Sequence, residues 1–125
     1  MPTGQVAVTG PGELDCRYVI HAVGPIWDNS KPASYNIELL MHAIFNTLKK
    51  ANELNCESVS IPAISSGIFG FPKPLCAKVF FYTLTKFVEI AQKSNTTLAL
   101  KTVRLCNFDE ETTVIFKCQF ECTLT

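Results

Sequence analysis

The chain has 125 residues, enough for one domain with a single core. Hydrophobic residues make up 47% and charged residues 18%, a balance that excludes a disordered chain. Eleven basic residues offset eleven acidic ones, so no net field favours duplex DNA or an anionic membrane, and no apolar run reaches the roughly 18 residues of a spanning helix.

Gln5 to Thr9 is a short β-prone stretch, broken by Gly10-Pro11-Gly12. Tyr18 to Val23 is rich in β-branched and aromatic residues and predicts a second strand, stopped by Gly24-Pro25. The connection is short enough for the two strands to be antiparallel neighbours. Residues 28 to 34 form a polar loop. A helix follows from about Tyr35 to Leu54, because Ile37, Leu40, Met41, Ile44, Leu48 and Ala51 recur at spacings of three and four. Ser34 or Asn36 is a candidate cap at its start. Asn55 suits the left-handed position after its end.

Ser58 to Ile64 runs without charge, the pattern of a central strand covered on both faces. It enters the loop Ser65-Ser66-Gly67-Ile68-Phe69-Gly70. A second helix begins near Pro74, where a missing N–H costs nothing, and runs to about Lys93. Its buried face is read as Cys76, Val79, Phe80, Leu84, Phe87, Val88 and Ala91. Lys101 to Asn107 is the last strand. The tail reads two ways: Val114, Phe116, Cys118, Phe120 and Cys122 alternate like a strand, while Ile115, Cys118 and Cys122 fit a helix face that Asp109 would cap. Strands alternating with long helices indicate an α/β layered fold with a mostly parallel sheet. No repeat, low-complexity tract or linker divides the chain.

The six cysteines are Cys16, Cys56, Cys76, Cys106, Cys118 and Cys122. No CxxC pairs occur, and Met1-Pro2-Thr3-Gly4 lacks a signal-peptide pattern, so the thiols are expected to be reduced and mostly buried. No metal site is expected, because Cys118 and Cys122 have no second ligand pair. His21 sits mid-strand between apolar residues and reads as structural. No acid, base or thiol partner is evident for it, so no catalytic residue is assigned. His42 reads as an outward residue on the first helix. Asp28, Glu110 and Glu111 read as solvated loop or cap charges.

The segment from Ser58 to Pro72 carries the chemistry. A strand delivers the chain to a small-residue loop, and the loop feeds a helix. In open α/β sheets, ligands bind outside the carboxyl ends of strands. Gly67 and Gly70 let the backbone approach a ligand closely, and Ser65 and Ser66 add hydroxyls. Convergent N–H groups near a helix N-terminus suit a phosphate or diphosphate. The loop is neither a P-loop nor the three-glycine dinucleotide fingerprint, and an ordinary strand-to-helix turn remains open on these residues alone.

This segment resembles the second phosphate-binding loop of macrodomains, and Tyr18-Val19-Ile20-His21-Ala22-Val23-Gly24-Pro25 resembles a second signature of that family. Gly4 to Thr9 resembles the strand before it, and Cys106-Asn107-Phe108-Asp109 the end of the last strand. The match runs from about residue 4 to about residue 116. It looks closest to the tandem macrodomains of large intracellular ADP-ribosyltransferases. The resemblance implies a three-layer α/β/α mixed sheet, with residues 1–125 forming a partial, N-terminally truncated macrodomain, and it favours a helix after Asp109.

The resemblance also assigns roles. Ser65, Ser66, Gly67, Ile68, Phe69 and Gly70 would wrap the diphosphate and proximal ribose of ADP-ribose. Phe108 would lie against the adenine or its ribose, where stacking is worth about 1–3 kcal/mol, with Asn107 close by. From its residues alone, Phe108 reads as a core residue at a strand end. The expected partners are ADP-ribose or ADP-ribosylated proteins, with no cofactor beyond that ligand, no membrane and no duplex DNA, in the nucleus or cytoplasm. Complete family members carry a longer N-terminal part with strands inside the sheet and a glycine-rich first phosphate loop. Without it, neighbouring strands are expected to stay unpaired or to re-pair, each unpaired buried polar group costing about 1–3 kcal/mol. Three functions compete: a binding module, a hydrolase that removes ADP-ribose from proteins, and an interaction piece that has lost its ligand. The absent first loop favours binding over hydrolysis.

Overall fold

The computed structural model describes residues 3–65, 70–106, 111 and 113–118. Its elements run β1 (Val6–Thr9), β2 (Val19–Ala22), α1 (Ala33–Glu53), β3 (Ser58–Pro62), α2 (Lys73–Lys93) and β4 (Thr102–Cys106). Residues 113–118 are helical, so the tail takes the helix that the family resemblance favours over the strand suggested by its alternation. Phe116 explains the outcome: it is buried edge-on against Phe80, with ring centroids 5.5 Å apart, and anchors that turn on α2.

The strands form two separate pairs. β1 and β2 are antiparallel, with Ala7 opposite His21 and Val8 opposite Ile20. β3 and β4 are parallel, with Val59 opposite Val103 and Pro62 opposite Cys106. The parallel pair is joined through α2, since a parallel return needs a long crossover. β2 and β3 do not pair with each other, so the pieces keep the family's mixed α/β character without closing into one sheet.

The core lies between these strands and the two helices. Leu40, Ile44, Leu48 and Ala51 on α1 are fully buried, as their spacing predicts, and meet Cys76, Val79, Phe80 and Phe87 on α2. Phe45 meets Phe87 edge-on at 5.6 Å, pinning the helices together. Each fully buried aliphatic side chain contributes about 1.5–3 kcal/mol. Val88, assigned to the buried face, is 42% exposed because the apolar stripe drifts around a helix of 21 residues.

β3 corrects a second expectation. Val59 and Ile61 point into the core, while Ser58, Ser60 and Pro62 are exposed, and β4 alternates in the same way. Among the described residues the helices cover one face of this pair, so β3 is half-covered rather than enclosed. The five described cysteines are free, but only Cys76 among them is buried, and Cys16, Cys106 and Cys118 are exposed.

Local chemistry fixes the helix ends. Neither Ser34 nor Asn36 caps α1; Pro32 holds the cap position with no side-chain bond. Asn36 is fully buried and instead orders the preceding loop. Its carbonyl accepts the Asp28 N–H at 2.8 Å, and its amide donates to the carbonyls of Asp28 and Pro32. Asn55 takes the left-handed conformation after α1 as expected, and Asn95 does the same after α2. Asn52 accepts the N–H groups of Ala99 and Leu100, tying the end of α1 to the approach to β4.

Candidate functional site

The site is built where β3 releases the chain. Ile64 turns back at once, its N–H bonding the Pro62 carbonyl at 2.8 Å. Ser65 then adopts a left-handed backbone, φ 66°, which costs a non-glycine residue about 1–2 kcal/mol. Gly70 is also left-handed, φ 77°, at the other end of the loop, where glycine carries no such cost. The Phe71 N–H donates to the Ser65 carbonyl at 2.9 Å and closes the loop on itself. Phe71 is buried, with its ring edge-on to Trp27 at 5.0 Å.

Two distant blocks of sequence therefore meet here. Gly24, just after β2, is pressed against Ile64 and Ser65, and a Cβ there would run into the Ile64 Cγ2 and the Ser65 Oγ. Trp27 reaches the far end of the loop near Gly70. The sequence showed Gly24 only as a strand stop, because its packing partners lie some forty residues away.

The Ser65 hydroxyl is the unusual group. Its Oγ is buried and has no hydrogen-bond partner among the described residues. A buried hydroxyl without a partner costs about 1–3 kcal/mol, and such groups call for an explanation. Three residues after Gly70 the chain enters α2, which has no side-chain cap bond and no acidic residue in its first turn. The positive end of its dipole lies there, where Lys73 in the first turn pairs with Glu111 at 3.3 Å. β4 ends at Cys106, across from Pro62, so both parallel strands leave the sheet at the same edge.

Of the residues singled out in the sequence, Ser65 and Gly70 sit at the two ends of this loop. Ser66, Gly67, Ile68, Phe69, Asn107 and Phe108 lie outside the described residues. His21 is exposed on β2, and its Nε2 lies 2.9 Å from the Thr9 hydroxyl, a cross-strand structural contact. His42 is exposed on α1. The carboxylate of Asp28 accepts bonds from the hydroxyl and N–H of Ser30, which hold it below its ordinary range. Cys76 donates to the Ile64 carbonyl beneath the loop, and burial pushes its thiol up to about 12. It is a neutral structural thiol at physiological pH, unsuited to nucleophilic attack. No helix among the described residues is long and apolar enough to cross a membrane, and no three metal-ligating side chains cluster among them.

The family model described as the Macro domain matches residues 1–80. The chain belongs to the macrodomain family. Over 120 residues it is 45% identical to an uncharacterized protein of Thermotoga maritima, covering 96% of this chain and 19% of that protein. It is 38% identical to the protein mono-ADP-ribosyltransferase PARP9 of Mus musculus over 125 residues, 97% of this chain and 14% of that one. That match agrees with the likeness to ADP-ribosyltransferases seen in the sequence. The Oceanobacillus iheyensis macrodomain, solved with ADP, superposes with a TM-score of 0.84 at 28% identity, over 98% of this chain and 60% of that one. This macrodomain chain thus spans less than two thirds of the length of each.

Proposed function

We propose that this macrodomain chain binds ADP-ribose, free or attached to protein, with the loop from Ser65 to Gly70 holding the diphosphate. The observation that carries the reading is the buried Ser65 Oγ, unpartnered among the described residues, with Ser65 and Gly70 both in left-handed backbone. A phosphate oxygen would give that hydroxyl its acceptor. The uncapped start of α2 lies just beyond and favours negative charge. Structures of the Oceanobacillus iheyensis macrodomain with ADP and with ADPR support the choice of ligand. The chain acts, on this reading, as a binding module rather than a hydrolase: burial keeps the Cys76 thiol neutral, and the His21 imidazole is engaged with the Thr9 hydroxyl at 2.9 Å. The same reading places the protein in the nucleus or cytoplasm, where its free thiols stay reduced.

Calorimetric titration of the full chain with ADP-ribose tests this. Saturable one-to-one binding, competed by ADP, is the expected result. Heats no larger than those of dilution would overturn it. Incubation with a mono-ADP-ribosylated protein separates binding from hydrolysis, since a binding module leaves the modification in place.

A further inference from the structure

One short stretch of chain touches both ends of the candidate loop. Gly24 lies against Ser65 at the start, and Trp27, three residues on, lies at the end. A Cβ built on Gly70 would sit 3.9 Å from the Trp27 Cβ. The Trp27 ring meets Phe71 edge-on, with centroids 5.0 Å apart and planes at 84°. Pro25, between the two contacts, is fully buried, and its ring restricts the backbone there. Phe71 is also the residue whose N–H donates to the Ser65 carbonyl at 2.9 Å and closes the loop. The indole therefore packs on the residue that makes the closing bond.

The indole is itself held in place. Its Nε1–H donates to the Asn29 side-chain oxygen at 2.7 Å, which fixes the orientation of the ring. The next residue, Asp28, is anchored through its backbone. Its N–H donates to the Asn36 Oδ1 at 2.8 Å, and its carbonyl accepts from the Asn36 Nδ2 at 3.1 Å. Asn36 is fully buried on α1, so this chain of contacts ends in the interior. Trp27 is only half-buried, yet it is oriented at its polar edge and through its neighbouring peptide.

We infer that Trp27 is a positioning residue for the diphosphate loop. It transmits the fixed placement of Asn36 to Gly70 and Phe71, so that the closing bond to Ser65 is in place before ligand arrives. Such preorganisation raises affinity by reducing the ordering that binding must otherwise impose. The inference rests on the ADP-ribose reading for its ligand, and on the geometry of Trp27, Phe71 and Ser65 for its mechanism.

Two measurements on the full chain test it, the first without ligand. In amide hydrogen exchange, Trp27→Leu should speed exchange at Phe71 by about tenfold or more, while Leu48 and Phe80, inside the helices, keep their wild-type rates. In calorimetry, Trp27→Leu should bind ADP-ribose about tenfold more weakly. Trp27→Phe keeps an aromatic ring but lacks the N–H, and should recover part of that loss. Asn29→Ala should weaken binding less than Trp27→Leu and add nothing to Trp27→Phe, since both changes remove the same bond. Wild-type exchange at Phe71 in Trp27→Leu would overturn the inference whether or not ligand binds. Faster exchange at Phe71 with wild-type affinity would overturn it too, leaving the ring as a packing residue. Equal acceleration at Leu48 and Phe80 would do the same, because the ring would then support the whole fold. Silence of the wild-type chain in calorimetry would instead end the ADP-ribose reading, and the positioning role with it.

Discussion

Gly24 and Ser65 are forty-one residues apart in sequence, yet a single methyl group on the first would collide with the hydroxyl of the second. The absence of a side chain at Gly24 lets the end of β2 lie against the start of the candidate loop. Gly24→Val would place branched carbon where Ile64 and Ser65 now sit. Overpacking of this kind costs about 1–3 kcal/mol. ADP-ribose affinity should fall at least tenfold, about 1.4 kcal/mol. Calorimetry measures the affinity, and circular dichroism should show the helices intact. Unchanged affinity would separate Gly24 from the site.

Ser65 gives an opposite-signed pair of effects. Ser65→Gly removes an unpartnered buried hydroxyl, worth about 1–3 kcal/mol, and relieves about 1–2 kcal/mol of left-handed strain. The added chain entropy of glycine offsets about 0.5–1 kcal/mol. The ligand-free variant should therefore be more stable, by roughly 1 kcal/mol or more, while binding ADP-ribose less tightly. Thermal melting and calorimetry on the same preparation read both signs. A variant both destabilised and fully competent to bind would show that Ser65 is structural only.

The α1 and α2 stripes were legible in the sequence because one helical period carries them, and Leu40, Ile44, Leu48 and Phe80 are buried as that period requires. The half-exposure of β3 was misread, although Ser58 and Ser60 alternate with Val59 and Ile61. The lack of charge masked the alternation. The tail's local alternation points to a strand, and the helix that the resemblance favours forms because Phe116, one buried anchor on α2, decides its conformation. The loop was legible as a small-residue turn. Its supports were not: Gly24 against Ser65 and Trp27 against Phe71 join positions that no local periodicity connects. Asn95 carries the same helix-end signal as Asn55.

Asn36 should behave as a strut rather than a cap. Asn36→Ala removes three hydrogen bonds to the backbone of Asp28 and Pro32 and leaves the Asp28 N–H without its acceptor. The expected loss is about 2–3 kcal/mol. Urea unfolding should show a lower midpoint with an unchanged slope. Asn36→Asp restores only the acceptor, and its recovery should be partial. A loss below about 0.5 kcal/mol would mean that these three bonds do not hold the loop.

Cys76 links stability to alkaline pH. Its folded value of about 12 lies above the ordinary 9.0, because burial disfavours the thiolate. The folded state thus holds the proton more tightly than the unfolded state. The stability that follows is fully present below pH 9 and is lost as pH rises from about 9 towards 12, at up to about 1.4 kcal/mol per pH unit. Lysines and tyrosines titrate in the same window, so the difference from Cys76→Ala isolates this thiol. The variant loses stability at neutral pH, because a buried side chain is shortened, but its decline above pH 9 should be shallower. Thiol labelling gives an independent reading. At pH 8 the exposed Cys16, Cys106 and Cys118 should react within the mixing time, whereas Cys76 should react at the rate of unfolding. Rapid labelling of Cys76 in the folded chain would mean that the floor of the loop is open to solvent, and with it the burial of the Ser65 hydroxyl on which the ligand reading stands.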